Sequence, residues 1–112
     1  MKIKIERRWS SETRLEGEAE SFKEFVVKNK SDLRGSNLRG SNLRGSDLSD
    51  SNLSDSNLSG SNLSGSNLSD SNLSGSNLSG SNLSDSNLRW VKIKASQKDD
   101  LLKALRIEVI ED

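Results

Sequence analysis

The chain has 112 residues, carries Lys plus Arg and Asp plus Glu at 17 each, and contains neither Cys nor His. That length suits one domain, or a repeat array with short flanks, and is too small for a large conventional core. The missing residues exclude disulfide frameworks, thiolate chemistry, histidine-bearing zinc sites, and Ser-His-Asp or Cys-His catalysis.

Charge is balanced locally as well as globally. Residues 1–30 hold 8 basic and 6 acidic groups, residues 31–90 hold 4 and 6, and residues 91–112 hold 5 and 5. No segment has the basic excess of a nucleic-acid binder or the acidic excess of a DNA mimic, so nucleic acid is disfavoured as a partner. The opening MKIKIERRW never reaches an apolar signal-peptide core, and no apolar run approaches membrane-spanning length. The expectation is a cytoplasmic protein without a membrane segment.

The first flank, residues 1–30, reads as a cap. Lys2 to Glu6 alternates, and Trp9 continues the Ile3/Ile5 face. After a polar turn at Ser10–Glu12, Leu15, Gly17 and Ala19 alternate against Arg14, Glu16 and Glu18, which predicts a β-hairpin. Ser21-Phe22-Lys23-Glu24 has the form of a capping box, and Phe22, Phe25 and Val26 make one helical face over 21–28.

From Ser31 to Trp90 a five-residue phrase runs twelve times in register; residues 56–70 read SNLSGSNLSGSNLSD. Composition alone would suggest disorder, but periodicity argues otherwise. On an α-helix a five-residue step rotates about 140°, so the leucines would spiral over every face. On one straight strand an odd step sends successive leucines to opposite faces. A chain that turns a corner once per repeat does bury them together. Within each repeat Ser and Leu point inward and Asn outward, and the last two residues turn, where Gly supplies positive φ and Asp tolerates it. With four repeats per coil at a rise of roughly 4.8 Å, Leu58 sits between Leu38 and Leu78. The predicted core ladder is Leu33, Leu38, Leu43, Leu48, Leu53, Leu58, Leu63, Leu68, Leu73, Leu78, Leu83 and Leu88.

The phrase Ser-(Asn/Asp)-Leu-(Ser/Arg)-(Gly/Asp) resembles the pentapeptide-repeat family, whose consensus is often written A-(D/N)-L-x-x. Val91 to Ala95 fits as a degenerate further repeat, so the array covers 31–95. The resemblance implies an all-β solenoid: a right-handed quadrilateral β-helix, here of about three coils, roughly 15 Å tall at that rise. Handedness and four-sidedness are the family's. Ser stands at the inward position where the family favours Ala, so each buried hydroxyl needs a partner or costs roughly 1–3 kcal/mol.

The second flank, residues 96–112, predicts another cap. Ser96 with Asp99 caps a helix over 97–105 whose Leu101, Leu102 and Leu105 face the coil, and Arg106–Glu111 reads as a strand carrying Ile107 and Val109. A hairpin, RW turn and short helix before a repeat array resemble pentapeptide-repeat proteins of bacteriophages.

The candidate sites each have a plain reading beside them. Arg34, Arg39 and Arg44 lie on successive sides of the first coil, so they cannot converge on one phosphate; pairing with Glu16, Glu18 or Glu20 is preferred. Asp50 stacks on Asp70, with Asp55 one corner away, but a like pair about 5 Å apart costs only about 0.8 kcal/mol in water, and solvated corners are preferred to a carboxylate or Ca²⁺ site. The columns Asn37/Asn57/Asn77 and Asn42/Asn62/Asn82 are polar ladders without the Thr rows that an ice-binding face needs. Trp90 is a candidate partner contact, or a seal of the lower rim against Leu101 or Leu102. Ile107 and Val109 are candidate contacts for a homodimer through the C-terminal strand. No catalytic residue, cofactor or metal is expected. The reading is a non-enzymatic structural or protein-interaction module; the alternative is a pentapeptide-repeat regulator of a DNA topoisomerase acting by DNA mimicry.

Overall fold

The structure, a computed structural model, describes residues 1–8 and 15–111. The expectations for Trp9, the turn at Ser10–Glu12 and Arg14 lie outside the described residues. β1 (Lys2–Ile5) pairs antiparallel with β2 (Leu15–Glu18), in the register Ile3 opposite Gly17 and Ile5 opposite Leu15. The alternation puts Ile3 and Ile5 in the core and their lysine neighbours in solvent. Gly17 is small for a reason: a Cβ there would lie 2.8 Å from the Phe25 ring. That close approach lets the hairpin sit down on the helix that follows.

That helix, α1 (Phe22–Lys28), starts where the Ser21 side chain accepts the Glu24 N–H. The reciprocal bond reaches one residue further back than a capping box, from the Glu20 N–H to Glu24 Oε2 at 2.7 Å. Phe25 and Val26 are fully buried against the first leucines. Asn29 ends the helix by donating from Nδ2 to the Phe25 carbonyl at 2.8 Å.

The repeat region stacks at an interval of twenty residues. Parallel bridges join Asn37–Asn57–Asn77, Asn42–Asn62–Asn82, Asp47–Asn67–Asn87 and Asn52–Asn72–Lys92, which makes four sides, each three residues deep. Each side holds too few residues between corners to form a long strand, so the stack is built from short bridges; the only paired strands among the described residues are β1 and β2. Three hydrogen bonds per repeat tie the levels: Leu58 N–H to Asn77 O, Asn77 N–H to Ser56 O and Gly60 N–H to Ser79 O, each 2.9 Å. At each corner the chain turns with an i to i+3 bond, as from Ser61 N–H to Leu58 O at 3.1 Å. The third turn residue has positive φ, +66° at Gly60, as a type II turn requires. Asp50, Asp55, Asp70, Asp85 and Trp90 take the same conformation without being glycine.

The leucines from Leu33 to Leu83 are fully buried and form one column-filled core. Leu88, at the last turn, is only partly buried against it. Seven inward serines, 46, 56, 61, 66, 76, 81 and 86, satisfy their hydroxyls by donating to the leucine carbonyl three residues back at 2.6–2.7 Å.

Both ends are closed by side-chain and backbone contacts with no local sequence signature. Above, the chain leaving β1 lies along the first turn: Arg7 bridges Ser36 antiparallel, Asn37 N–H reaches Glu6 O and Arg8 N–H reaches Gly35 O, both 2.8 Å. Below, a short 3₁₀ turn at Ala95–Gln97 leads into α2 (Lys98–Ala104). Ser96 is not its N-cap; the helix begins after Gln97, whose side chain bonds elsewhere. Ala104 is the fully buried residue of α2, and Leu101 and Leu105 pack partly against the core. The predicted strand over 106–111 is absent: α2 ends on Arg106 at φ +63°, and 107–111 continue without a bridge. No helix among the described residues is long and apolar enough to cross a membrane.

Candidate interaction surface

The outward side chains of the repeats are committed to one another. Asn57 Oδ1 accepts both the Ser59 N–H at 3.0 Å and the Ser59 hydroxyl at 2.6 Å. The same lock recurs from Asn62 to Ser64, Asn72 to Ser74, Asn77 to Ser79 and Asn82 to Ser84. An Asx-type bond of this kind fixes the approach to each corner. It also occupies the hydroxyls as donors, so the serines of the faces are structural groups rather than free nucleophiles. The result is a set of flat polar faces with fixed amide positions.

Charges decorate the corners sparsely. Arg34 Nη2 lies 3.6 Å from Asp55 Oδ2. Glu16 meets Lys4 at 4.0 Å and Glu18 the Met1 amine at 3.6 Å. Arg39 and Arg44 form no ion pair among the described residues, and the three arginines stand on different sides as their register requires. Asp47 is the outward carboxylate with a clear shift. The Ser49 hydroxyl at 2.8 Å, then the Ser49 N–H, then Lys30 at 3.8 Å hold its carboxyl below the ordinary carboxylate range. Asp50 and Asp70 occupy successive levels of one corner, and among the described residues no group of three or more acidic side chains is arranged to hold a metal.

The Asp55 carboxylate also leans over Gly75, into space that any side chain at 75 would contest. Beside it, Arg7, Arg8, Asn57, Gly75 and Asn77 line a shallow depression of about 500 Å³ between the upper segment and the first side. The Arg7 guanidinium donates to the Asp32 carbonyl at 2.7 Å and to its carboxylate at 2.9 Å. The sequence reading missed this contact, which nothing in the local pattern around Arg7 signals.

Trp90 is 71% exposed and does not seal the lower rim. Gln97 does that work instead. Its Oε1 accepts from Gly75 N–H at 2.9 Å and Lys94 N–H at 2.7 Å, and its Nε2 donates to Leu73 O at 2.7 Å and Ser76 O at 2.9 Å. Ile107, Val109 and Ile110 are exposed.

Among solved structures, the chain is similar to the pentapeptide repeat protein Rfr23 from the cyanobacterium Cyanothece 51142, at 30% identity and a TM-score of 0.42, over 56% of this chain and 40% of that one. It is also similar to QnrB1, a plasmid-mediated fluoroquinolone resistance protein, at 25% identity and a TM-score of 0.43, over 67% of this chain and 45% of that one. The pentapeptide repeat protein alr5209 from Nostoc Pcc 7120 aligns at 35% identity and a TM-score of 0.26, over 52% of this chain and 56% of that one. The chain thus spans less than half the length of the first two, at 40% and 45%. No curated protein matches it. Pentapeptide-repeat proteins fold as right-handed quadrilateral β-helices, and the twenty-residue bridging interval here is that of a four-sided coil of five-residue repeats. The family model for pentapeptide repeats matches eight copies over residues 31–70 and 51–89, more than half of the sequence, and the chain belongs to that family.

Proposed function

We propose that the chain is a non-enzymatic structural or protein-interaction module whose partner is a protein, and that it presents its flat polar faces as the contact surface. The Asn-to-Ser lock, repeated from side to side, is the observation that carries this reading. It fixes donors and acceptors at repeating positions and leaves the hydroxyls bonded, which suits complementarity to a partner better than reaction with a substrate. A second copy of the chain is one such partner.

Immobilised protein should retain a partner from a cell extract, and substitution of one face, Asn57→Asp with Asn77→Asp, should abolish retention at little cost in thermal stability, because Asp47 shows that an aspartate keeps the Oδ1 acceptor of the lock. Retention that survives aspartate substitution on each of the four sides in turn would overturn the face as the contact. The topoisomerase reading requires a surface that imitates duplex DNA. Here formal net charge is zero and Asp55, one of the corner acids, is paired with Arg34. No inhibition is expected in a plasmid supercoiling assay with gyrase at stoichiometric concentration; clear inhibition would reverse the ranking and make Asp50, Asp55 and Asp70 the first residues to substitute.

A further inference from the structure

Trp90 holds the third level of the corner column that begins with Asp50 and Asp70, at φ +62° and 71% exposed. A bulky residue in the left-handed region costs stability, and here little burial offsets it. A tryptophan kept on those terms points to a contact outside its own fold. Around it, Arg89, Lys92 and Lys94 are exposed, and no acid interrupts residues 89–94. None of the three forms an ion pair among the described residues.

The side that leads into Trp90 is open along its lower edge. One level up, Asn87 N–H reaches Ser66 O, Leu68 N–H reaches Asn87 O and Asp70 N–H reaches Arg89 O, at 2.8–2.9 Å. The equivalent groups of the last level, Ser86 O, Leu88 N–H and Trp90 N–H, have no hydrogen-bond partner among the described residues. On the two preceding sides the cap intrudes: Gln97 Nε2 takes Ser76 O at 2.9 Å, and Ala104 O takes Leu83 N–H at 2.8 Å. Leu88 is the one leucine of the repeats left partly buried. Charge runs along this edge in one direction, from Asp85 at its start to Arg89 at its end, with Lys92 and Lys94 past the corner. Residues 107–111 do not fill it, since they form no bridge and Ile107, Val109 and Ile110 stay exposed.

We propose that the edge from Ser86 to Trp90 is a docking site for an extended peptide of a partner protein, aliphatic at its start and acidic at its end, added as one further level beneath the last coil. Running parallel to the side, as the levels above it do, the peptide donates one N–H to Ser86 O and offers two carbonyls to Leu88 N–H and Trp90 N–H. The residues on either side of that donor point inward and cover Leu88. The acids that follow meet Arg89, Lys92 and Lys94, and their stems pack on Trp90. The direction of charge fixes the direction of the peptide, because the reverse orientation sets its acids beside Asp85. The inference rests on the interaction-module reading and deepens it, giving the partner a contact apart from the polar faces.

The probe is the blocked peptide acetyl-Val-Ser-Val-Glu-Glu-Glu-amide, titrated calorimetrically into the intact protein. It should bind saturably, and hydrogen exchange at the Leu88 and Trp90 amides should slow roughly tenfold at saturation. N-methylation of the peptide serine removes the donor for Ser86 O and should weaken binding roughly tenfold; the reversed peptide, Glu-Glu-Glu-Val-Ser-Val, should lose a similar factor. Arg89→Glu with Lys92→Glu and Lys94→Glu should abolish binding of the acidic peptide and confer binding of its lysine counterpart, with unchanged circular dichroism. Trp90→Gly should weaken binding while raising thermal stability, since it relieves the strained corner; a purely structural tryptophan would lower stability. No binding, or binding indifferent to N-methylation or to the rim charges, overturns the docking edge. Binding that appears only after Glu108→Lys with Glu111→Lys overturns it too, because residues 107–111 of the same or a second copy then hold the edge. The face variants above leave this edge intact, so failure of the edge and failure of the module reading are told apart.

Discussion

Ser51 and Ser56 occupy the same place in adjacent repeats, and both are 2% exposed. Ser56 donates its hydroxyl to Leu53 O at 2.6 Å, whereas the hydroxyls of Ser51 and Ser71, stacked in one column, have no partner among the described residues. The two situations should respond to alanine in opposite directions. Ser56→Ala removes a made bond and should cost about 0.5–1.5 kcal/mol; Ser51→Ala and Ser71→Ala remove a buried unpartnered hydroxyl and should stabilise by about 1 kcal/mol each. Urea denaturation of the three single variants would read this directly, and equal losses at all three would show that Ser51 and Ser71 are bonded in solution. Inside and outside were legible at this scale because a two-residue alternation, interrupted by a two-residue corner, admits one burial pattern. The partner of each inward hydroxyl was not legible, since it depends on a rotamer and not on residue type.

At the scale of elements, α2 shows where local pattern stops being informative. Its apolar residues suggested a helix, and a helix is present. The expected Ser96 cap fails because the chain first makes a 3₁₀ turn that lets Gln97 reach back under the last coil. A glutamine among Lys, Ala, Ser and Asp carries no sequence signal for burial, yet it is 7% exposed with donor and acceptor both used. Segment 6–8 was opaque for the same reason: pairing to a coil edge is a property of the edge, more than twenty residues away. Gln97→Leu should cost roughly 1–3 kcal/mol by orphaning buried backbone groups. Gln97→Glu keeps the shape but turns a donor into an acceptor facing Leu73 O and Ser76 O. It should destabilise more at neutral pH than at acid pH, where protonation, favoured by burial, restores a donor. Hydrogen exchange at the Gly75 amide would report the loss locally; full protection of Gly75 in Gln97→Leu would show that another group closes the coil.

For the molecule as a whole, stability is a property of the stack, because each repeat touches only the levels twenty residues before and after it. The leucines and bridges are interchangeable between repeats, so the array should tolerate changes of length, and the corners should decide which ones. Asp55 overlies Gly75, where no side chain competes with its carboxylate. Duplicating residues 56–75 inserts four repeats and preserves that pairing. Inserting a single Ser-Asn-Leu-Ser-Gly after Gly65 moves Asp70 beneath Asp55, joining two carboxylates and a Cβ in that space. The duplication should raise the urea m-value in proportion to the added buried surface, with no loss of thermal stability. The single insertion exchanges the Asp50–Asp70 stack for an Asp55–Asp70 stack, so like-charge repulsion is unchanged; the Cβ it brings into the space of the Asp55 carboxylate should lower stability by roughly 1–2 kcal/mol, and Asp55→Gly in that background should restore it. If the single insertion is instead as stable as the duplication, the corner columns do not set the register, and the leucine core alone governs how levels stack.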